Sequence, residues 1–334
     1  MTVPSTPSAD ALLPAEPSAP EPQDDSAQVR GGHQPGDMHL AHRPSILEKG
    51  RAVWVNRRIL RILVIRDLKV RYSDTVLGFT WTLLDPLLLT LVYWFVFGVI
   101  VSRGVTEEQP YLLWLLTGIL PFQWTAHVLG DSGRLLGNDA KLVTASSLPR
   151  ELWVLRSVSS RFIEFLFTLP ITVVAVLLFM QFGSTPITIG WVWMLAIPVA
   201  FAVQFIFNLG LALTLAPACM LYPDVHRVVR VFATLYRYLS PVIYGLATLE
   251  IALQEVTWPS WMLIGGQTWP EWLITLYSLN PLTGILNTYH AVLFPDTVDD
   301  VVLWLGVAAV VSVLLFFFGL FTFRRLEPRV LKEL

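Results

Sequence analysis

Residues 79–101 read FTWTLLDPLLLTLVYWFVFGVIV, apolar throughout except for Thr80, Thr82, Asp85 and Thr90. A helix of about 20 apolar residues crosses the roughly 30 Å hydrocarbon core of a bilayer, so this stretch predicts a membrane span. Similar runs recur along the chain. Tyr111 to Leu129, Phe162 to Phe182, Trp191 to Leu215 and Val301 to Phe323 are each long and apolar enough, and Val231 to Leu249 makes a weaker sixth because Arg237 stands inside it. The expected fold is an all-α polytopic membrane protein with six transmembrane helices at 79–101, 111–129, 162–182, 191–215, 231–249 and 301–323.

The composition agrees. Of 334 residues, 54% are hydrophobic and only 14% charged, where a soluble chain carries about 25% charge. The net charge of -2 gives no basic surplus, so no nucleic-acid partner is expected. Cys219 is the one cysteine, which excludes an internal disulfide and makes a thiolate zinc site implausible. No G-x-x-x-x-G-K-[ST] run exists to cradle a nucleotide phosphate, and no His/carboxylate spacing suggests a metal. Ser, His and Asp are not grouped for nucleophilic catalysis, and His127, His226 and His290 are isolated. The chain is expected to hold no cofactor and no metal, and not to be an enzyme.

Three segments differ in character. Residues 1–43 are rich in Pro, Ala, Ser and acid and predict a disordered cytoplasmic leader. They lack the basic start, apolar core and cleavage site of a secretory signal. Residues 44–73 predict a basic amphipathic helix, with Leu60, Leu63, Val64 and Leu68 at helical spacing among Arg57, Arg58, Arg61, Arg66, Lys69 and Arg71. It is too charged to span and suits the headgroup plane, with a solvated helix packed on another subunit as the alternative. Residues 74–334 form the transmembrane domain.

Charge placement predicts the orientation. Basic residues gather at 43–71, at 131–161, at Arg227 and Arg230, and in the tail from Arg324 to Lys332. The segment 249–300 has no Lys or Arg and holds Glu250, Glu255, Glu271, Asp296, Asp299 and Asp300. The positive-inside rule then puts both termini in the cytoplasm, which needs an even number of crossings. Within 249–300 the apolar pieces 271–279 and 282–293 are too short to span. Bounded by Trp258-Pro259, Trp269-Pro270 and Asn280-Pro281, they predict short re-entrant helices before the last span, facing outward like a pore mouth.

The passage Leu68-Lys69-Val70-Arg71-Tyr72-Ser73-Asp74-Thr75-Val76-Leu77-Gly78-Phe79-Thr80-Trp81, continuing through Leu83-Leu84-Asp85-Pro86-Leu87, resembles the start of ABC type-2 permeases of the bacterial polysaccharide exporter group, which serves O-antigen, teichoic acid and capsule. Leu135 to Asn138 with Leu148 to Glu151 is similar to the family's loop after the second span. Tyr222-Pro223-Asp224-Val225-His226 is similar to its turn before the fifth, and Leu279 to Gly284 to its external "NP" gate segment. The resemblance runs in order from about 59 to 325. It departs at Asp85, where the family more often has an uncharged amide, and in an enlarged segment 257–269. The acidic leader and the Val, Ala and Arg usage are similar to actinobacterial members, galactan exporters among them.

The resemblance implies a homodimer in the bacterial cytoplasmic (inner) membrane that exports a lipid-linked polysaccharide, O-antigen- or galactan-like. It also implies a cytosolic ABC ATPase dimer that holds ATP and Mg. With that substrate, Arg66, Lys69 and Arg71 stand at the depth of a pyrophosphate, which guanidinium groups grip bidentately; they suit anionic membrane lipid equally well. Trp81, Asp85, Tyr93 and Phe97 are candidates for a glycan conduit, Tyr93 and Phe97 being four apart on one face. Asp85 before Pro86 could equally be a hinge or a local hydrogen-bonding group. Pro149, Arg150 and Glu151, with Asp224, His226 and Arg227, are candidates for docking on the ATPase. Trp269, Trp272, Asn280 and Pro281 are candidates for the external gate. Arg161 and Glu164, three apart, are placed to neutralise each other. Two alternatives stay open: an ABC exporter of drugs or lipids, and a membrane-embedded transferase of polyprenyl-linked glycans, for which Glu250, Glu255 and Glu271 are the nearest acids.

Overall fold

The computed structural model describes residues 46–73, 75–101, 110–146, 148–183, 187–259, 262–263, 271–298 and 300–333, and the expected leader lies outside them. Among these residues there are helices and no strand. Two helices open the chain: α1 (Ile46–Val55) and α2 (Arg57–Tyr72), joined at Asn56. A turn of 3-10 helix leads into α3 (Trp81–Tyr93), which continues as a π-helical segment (Trp94–Ile100). Pro86 removes one backbone donor inside α3. Thr90 donates to the Pro86 carbonyl at 2.7 Å, a threonine bond back to the carbonyl four residues earlier.

The other long helices are α4 (Tyr111–Ser132), α7 (Glu151–Phe182), α8 (Trp191–Leu221) and α13 (Val301–Glu333). With the segment Gly78–Ile100 they make five helices long and apolar enough to cross a membrane. The chain is thus a multi-pass membrane protein. Helices α4, α7, α8 and α13 all run beyond the stretches that predicted them, α4 to Ser132, α7 from Glu151, α8 to Leu221 and α13 to Glu333, because backbone hydrogen bonding carries a helix on past the hydrocarbon boundary. Two short helices, α5 (Leu135–Asn138) and α6 (Ala140–Ala145), follow α4.

Helix α4 is the axis of the molecule. Of its most apolar stretch 78% is buried, against 11% for Gly78–Ile100 and 17% for α7 and for α13. A helix apolar all round is either lipid-facing or enclosed by neighbours. Here α4 is enclosed, and α3, α7 and α13 present Leu88, Val92, Val173, Leu177, Leu314 and Phe318 outward. Helices α8 and α13 pack closely at glycines: a Cβ on Gly210 would stand 2.8 Å from the Phe316 backbone nitrogen, and one on Gly319 would stand 2.6 Å from the Gly210 carbonyl oxygen. Small residues of this kind let membrane helices meet backbone to backbone.

The expected span 231–249 is not a single helix. Helix α9 (Pro223–Tyr238) begins earlier and ends earlier, and an irregular stretch 239–245 separates it from α10 (Leu246–Glu255). Pro241 explains the break, having no N–H and disfavouring helical backbone at Ser240. Sixteen residues of helix reach about 24 Å, short of a bilayer core of roughly 30 Å. Yet the segment 223–245 accompanies α4 along its whole length. His226 lies against Gly133, the Tyr236 ring lies tilted 6.3 Å from that of Phe122, Val242 lies against Gly118, Gly245 lies against Trp114, and the Tyr111 hydroxyl donates to the Ile243 carbonyl at 3.0 Å. A helix plus an irregular peptide therefore runs alongside α4.

Helices α11 (Trp272–Ser278) and α12 (Pro281–Ala291) form a short hairpin with its tip at Asn280. Helix α12 is buried along its length. A Cβ on Gly284 would lie 2.1 Å from the Trp304 carbonyl oxygen, so α12 and α13 touch backbone to backbone there. The carboxy-terminal end of α12 meets the start of α8, where the Gly190 amide donates to the Val292 carbonyl at 2.8 Å.

Candidate functional site

Among the described residues, the ion pairs that join two of the long helices lie at one end of the bundle. At this charged end, Arg161 of α7 grips Asp131 of α4 in a fork, Nε to Oδ2 at 2.7 Å and Nη2 to Oδ1 at 2.8 Å, and its Nη1 donates to Glu164 at 2.8 Å. The expected Arg161–Glu164 neutralisation is present. Arg71 of α2 donates to the same Glu164 at 2.8 Å and to Asp67 at 3.2 Å, and it lies 3.6 Å from Asp131. Arg156 donates to Asp139 at 2.6 Å and lies 3.8 Å from Asp67. Arg66 is the outermost member, 3.9 Å from Asp139 with its side chain half exposed. Four arginines thus face four carboxylates. The fork geometry and partial burial make these charge-assisted bonds stronger than exposed pairs. They pin the amphipathic α2 onto α4 and α7.

The three cations considered for a pyrophosphate therefore differ. Arg71 is committed to three carboxylates, Lys69 is exposed, and Arg66 stands at the rim of a cavity of about 730 Å³. That cavity is also lined by Arg134, His226 and Arg230, with Asp67, Asp131 and Asp139 among its acids. Arg230 donates toward His226 Nε2 at 3.1 Å. Burial pushes the Tyr72 phenol above its ordinary range at the edge of this cluster.

A second cavity, about 220 Å³, opens between α3, α4 and α7 just beyond the cluster. Trp81 and Asp85 both line it, with Gln123, Trp124 and His127 opposite. Tyr93 and Phe97 are elsewhere: their rings lie 5.9 Å apart, and Arg237 of α9 donates to the Tyr93 hydroxyl at 3.0 Å. The Arg237 guanidinium also lies over the Tyr93 ring at 5.8 Å and the Phe122 ring at 5.5 Å. Sequence reasoning took Arg237 only as a weakness in a span; a lone cation in an apolar run was itself a signal of a specific partner.

The docking candidates divide in the same way. Pro149 precedes α7, Glu151 is buried, and Arg150 lies 3.7 Å from Glu327 of α13. Asp224 and Arg227 are 3.7 Å apart with side chains 92% and 84% exposed, so this turn offers free charge where 149–151 binds the bundle together.

At the opposite end, Trp269 lies outside the described residues, and Trp272 donates its indole N–H to the Met262 carbonyl at 3.2 Å. Asn280 joins three elements. Its amide donates to the Leu239 carbonyl at 2.9 Å and the Ser240 hydroxyl at 3.0 Å, and its oxygen accepts from the Tyr236 hydroxyl at 2.6 Å and the Leu282 amide at 3.1 Å. Pro281 supplies the fixed φ that starts α12. His290 completes the support of the irregular stretch. Nε2 lies 2.8 Å from the Pro241 carbonyl oxygen, which can only accept, so that nitrogen carries the proton; Nδ1 lies 2.8 Å from the Thr117 hydroxyl, and the ring stacks on Trp114 at 3.8 Å. Asn280, His290 and Tyr111 thus satisfy carbonyls that the irregular stretch 239–245 leaves open. Sequence reading gave His290 no role, because its partners are remote in the chain.

No protein-family model matches the chain. It is 28% identical over 266 residues to the O-antigen export system permease protein RfbA of Myxococcus xanthus, covering 79% of this chain and 91% of that protein. It is 29% and 28% identical, each over 187 residues, to two Klebsiella pneumoniae proteins of the same name, covering 56% of this chain and 69% of each of those proteins. These relatives support an ABC type-2 polysaccharide-exporter permease, the resemblance read from 68–87 and its companion motifs.

Proposed function

We propose that the chain is the membrane-spanning subunit of an ABC transporter that exports a lipid-linked polysaccharide, O-antigen- or galactan-like, across the bacterial cytoplasmic membrane. The observation that carries this reading is the likeness to O-antigen export permeases over four-fifths of the chain, in a protein whose sequence has no phosphate cradle of its own. ATP and Mg then belong to a separate cytosolic ATPase dimer beneath a homodimer of this chain.

The charged end faces the cytoplasm by the positive-inside rule, and with α9 plus 239–245 counted as a crossing both termini lie on that side. The hairpin α11–α12 then enters from outside and acts as the gate. Motion has a physical route. The ATPase docks on the exposed Asp224–Arg227 turn, α9 carries the displacement, and Asn280 and His290 transmit it to α12 through the irregular stretch. The clamp of Arg71, Arg156 and Arg161 keeps α2, α4 and α7 together as the body against which α9 moves. Arg66, with Arg134 and Arg230 in the larger cavity, is the part of the basic surface suited to a pyrophosphate, with Lys69 exposed beside it. Pro149, Arg150 and Glu151 brace α7 on α13 near the docking face.

Deletion of the gene followed by complementation tests this reading. Loss of surface polysaccharide, accumulation of its lipid-linked precursor inside, and copurification of the chain with a Walker-type ATPase are the expected results. Normal surface polysaccharide in the deletion strain would reject it. Export of amphiphilic drugs alone would favour the other exporter class. A transferase of polyprenyl-linked glycans would instead need acids gathered at a site, and Glu250, Glu255 and Glu271 are each exposed.

A further inference from the structure

We infer that the smaller cavity, between α3, α4 and α7, is a subsite for one uncharged sugar ring, with Gln123 and His127 as specificity-determining residues. This rests on the transport reading above.

Two helical pairs at i, i+4 spacing face each other across the cavity: Trp81 and Asp85 on α3, Gln123 and His127 on α4. Trp124 and Phe165 add aromatic wall. Asp85 and His127 are exposed and Gln123 is partly exposed, and among the described residues no side-chain hydrogen bond to protein engages them, so their polar atoms are open to whatever fills the cavity. Polar groups that line a recess and are not spent on one another are available to a ligand or to water there.

The chemistry narrows that ligand. Arg71 and Arg161 border the cavity, yet each is already bound to Glu164 and to aspartates, so no cation is free to take a phosphate there. An anion would instead meet Asp85. What remains is a carboxylate, an amide and an imidazole, which together accept and donate at neutral hydroxyls. The partly exposed Trp81 indole offers an apolar face for the C–H side of a pyranose, while Trp124 is packed on Phe165 behind it. At about 220 Å³ the cavity is smaller than the roughly 300–1,000 Å³ of drug-sized sites, which fits one ring of a chain that continues outside it.

The test uses the full chain in lipid nanodiscs and saturation-transfer NMR with neutral hexasaccharides of galacto, manno, rhamno and gluco configuration. At least one should show saturation transfer, reduced about fivefold or more in Gln123→Leu and His127→Leu. Asp85→Asn should keep most of it, since an amide still bonds hydroxyls, and methyltriphenylphosphonium should not compete. The variants must match the parent in thermal midpoint, and a Gln123→Glu variant serves if Gln123→Leu does not. No transfer from any hexasaccharide, or equal transfer in all variants, would overturn the proposal. Competition by the phosphonium with loss in Asp85→Asn would make the cavity a cation site instead. Surface polysaccharide lost on gene deletion but exported normally by the Gln123 and His127 variants would sink the subsite and leave the transport reading standing.

Discussion

Arg161 shows what a single residue carries here. It satisfies Asp131 and Glu164 at once in a largely buried setting, and removing one partner of such a pair strands charge at a cost of about 3–5 kcal/mol. Arg161→Gln should therefore lower the thermal midpoint in detergent by many degrees, and Arg161→Lys, which keeps the charge but loses the fork, should fall between. Lys69→Gln, on an exposed side chain, should leave the midpoint unchanged; if Arg161→Gln also did, the clamp would not hold α4 to α7. Asn280 makes a second case. Asn280→Ala removes partners from Tyr236, Leu239, Ser240 and the Leu282 amide, bonds that are part-buried or exposed, and each such bond is worth about 0.5–1.5 kcal/mol. Asn280→Asp keeps the acceptor for Tyr236 and Leu282 but loses the donors to 239 and 240, so it should be the milder change by thermal midpoint. Equal effects would mean that the bonds to 239 and 240 contribute nothing to the tie between α9 and the hairpin.

Elements were legible in the sequence where apolar residues ran without interruption. The runs at 79–101, 111–129, 162–182, 191–215 and 301–323 all lie within observed long helices apart from Val101, one residue past its helix. The run at 231–249 misled because its hydrophobicity comes from a helix and an irregular peptide in sequence, and what makes that arrangement stable sits far away, at Tyr111, Asn280 and His290. Hydropathy reports transfer from water and is blind to such distant partners. The site was half legible for the same reason. Trp81 and Asp85, four apart, share a cavity as helix periodicity suggests, but nothing in the sequence could place them against Gln123 and His127, or place Arg71 among three acids. Glycines on α13 offer a direct test of element packing. Gly319→Ala pushes a methyl group against the Gly210 carbonyl, whereas Gly306 has open space around it. Gly319→Ala should destabilise the protein by about 1–3 kcal/mol as an overpacked contact. Gly306→Ala should be neutral or stabilising by up to about 1 kcal/mol through helix propensity. The two unfolding midpoints, measured side by side, would refute close packing of α8 on α13 if they moved together.

For the whole molecule, topology depends on whether 223–245 crosses the membrane. If it did not, five crossings would put the two termini on opposite sides, and either the basic cluster around α2 or the basic tail after Phe323 would face outward against the positive-inside rule. The peptide itself argues for crossing, since it accompanies α4 from Gly133 to Tyr111 and has its open carbonyls met by protein at each step. Labelling with a membrane-impermeant maleimide settles the matter in a Cys219→Ser background, where the parent's buried thiol is gone. Asp224→Cys, at the exposed start of α9, should react only in inverted vesicles. Glu250→Cys, on the exposed side of α10, should react only in intact spheroplasts. Reaction of both from the same side would return the count to five crossings and would break the mechanical route from the Asp224–Arg227 turn to Asn280. If the two sides differ, Arg227→Glu becomes the informative change: it reverses an exposed charge that supports nothing in the bundle, so it should leave the thermal midpoint intact while reducing copurification of the ATPase and surface polysaccharide together. Retention of both at parental levels would show that the ATPase pushes elsewhere, with the face around Arg150 and Glu327 the remaining surface to probe.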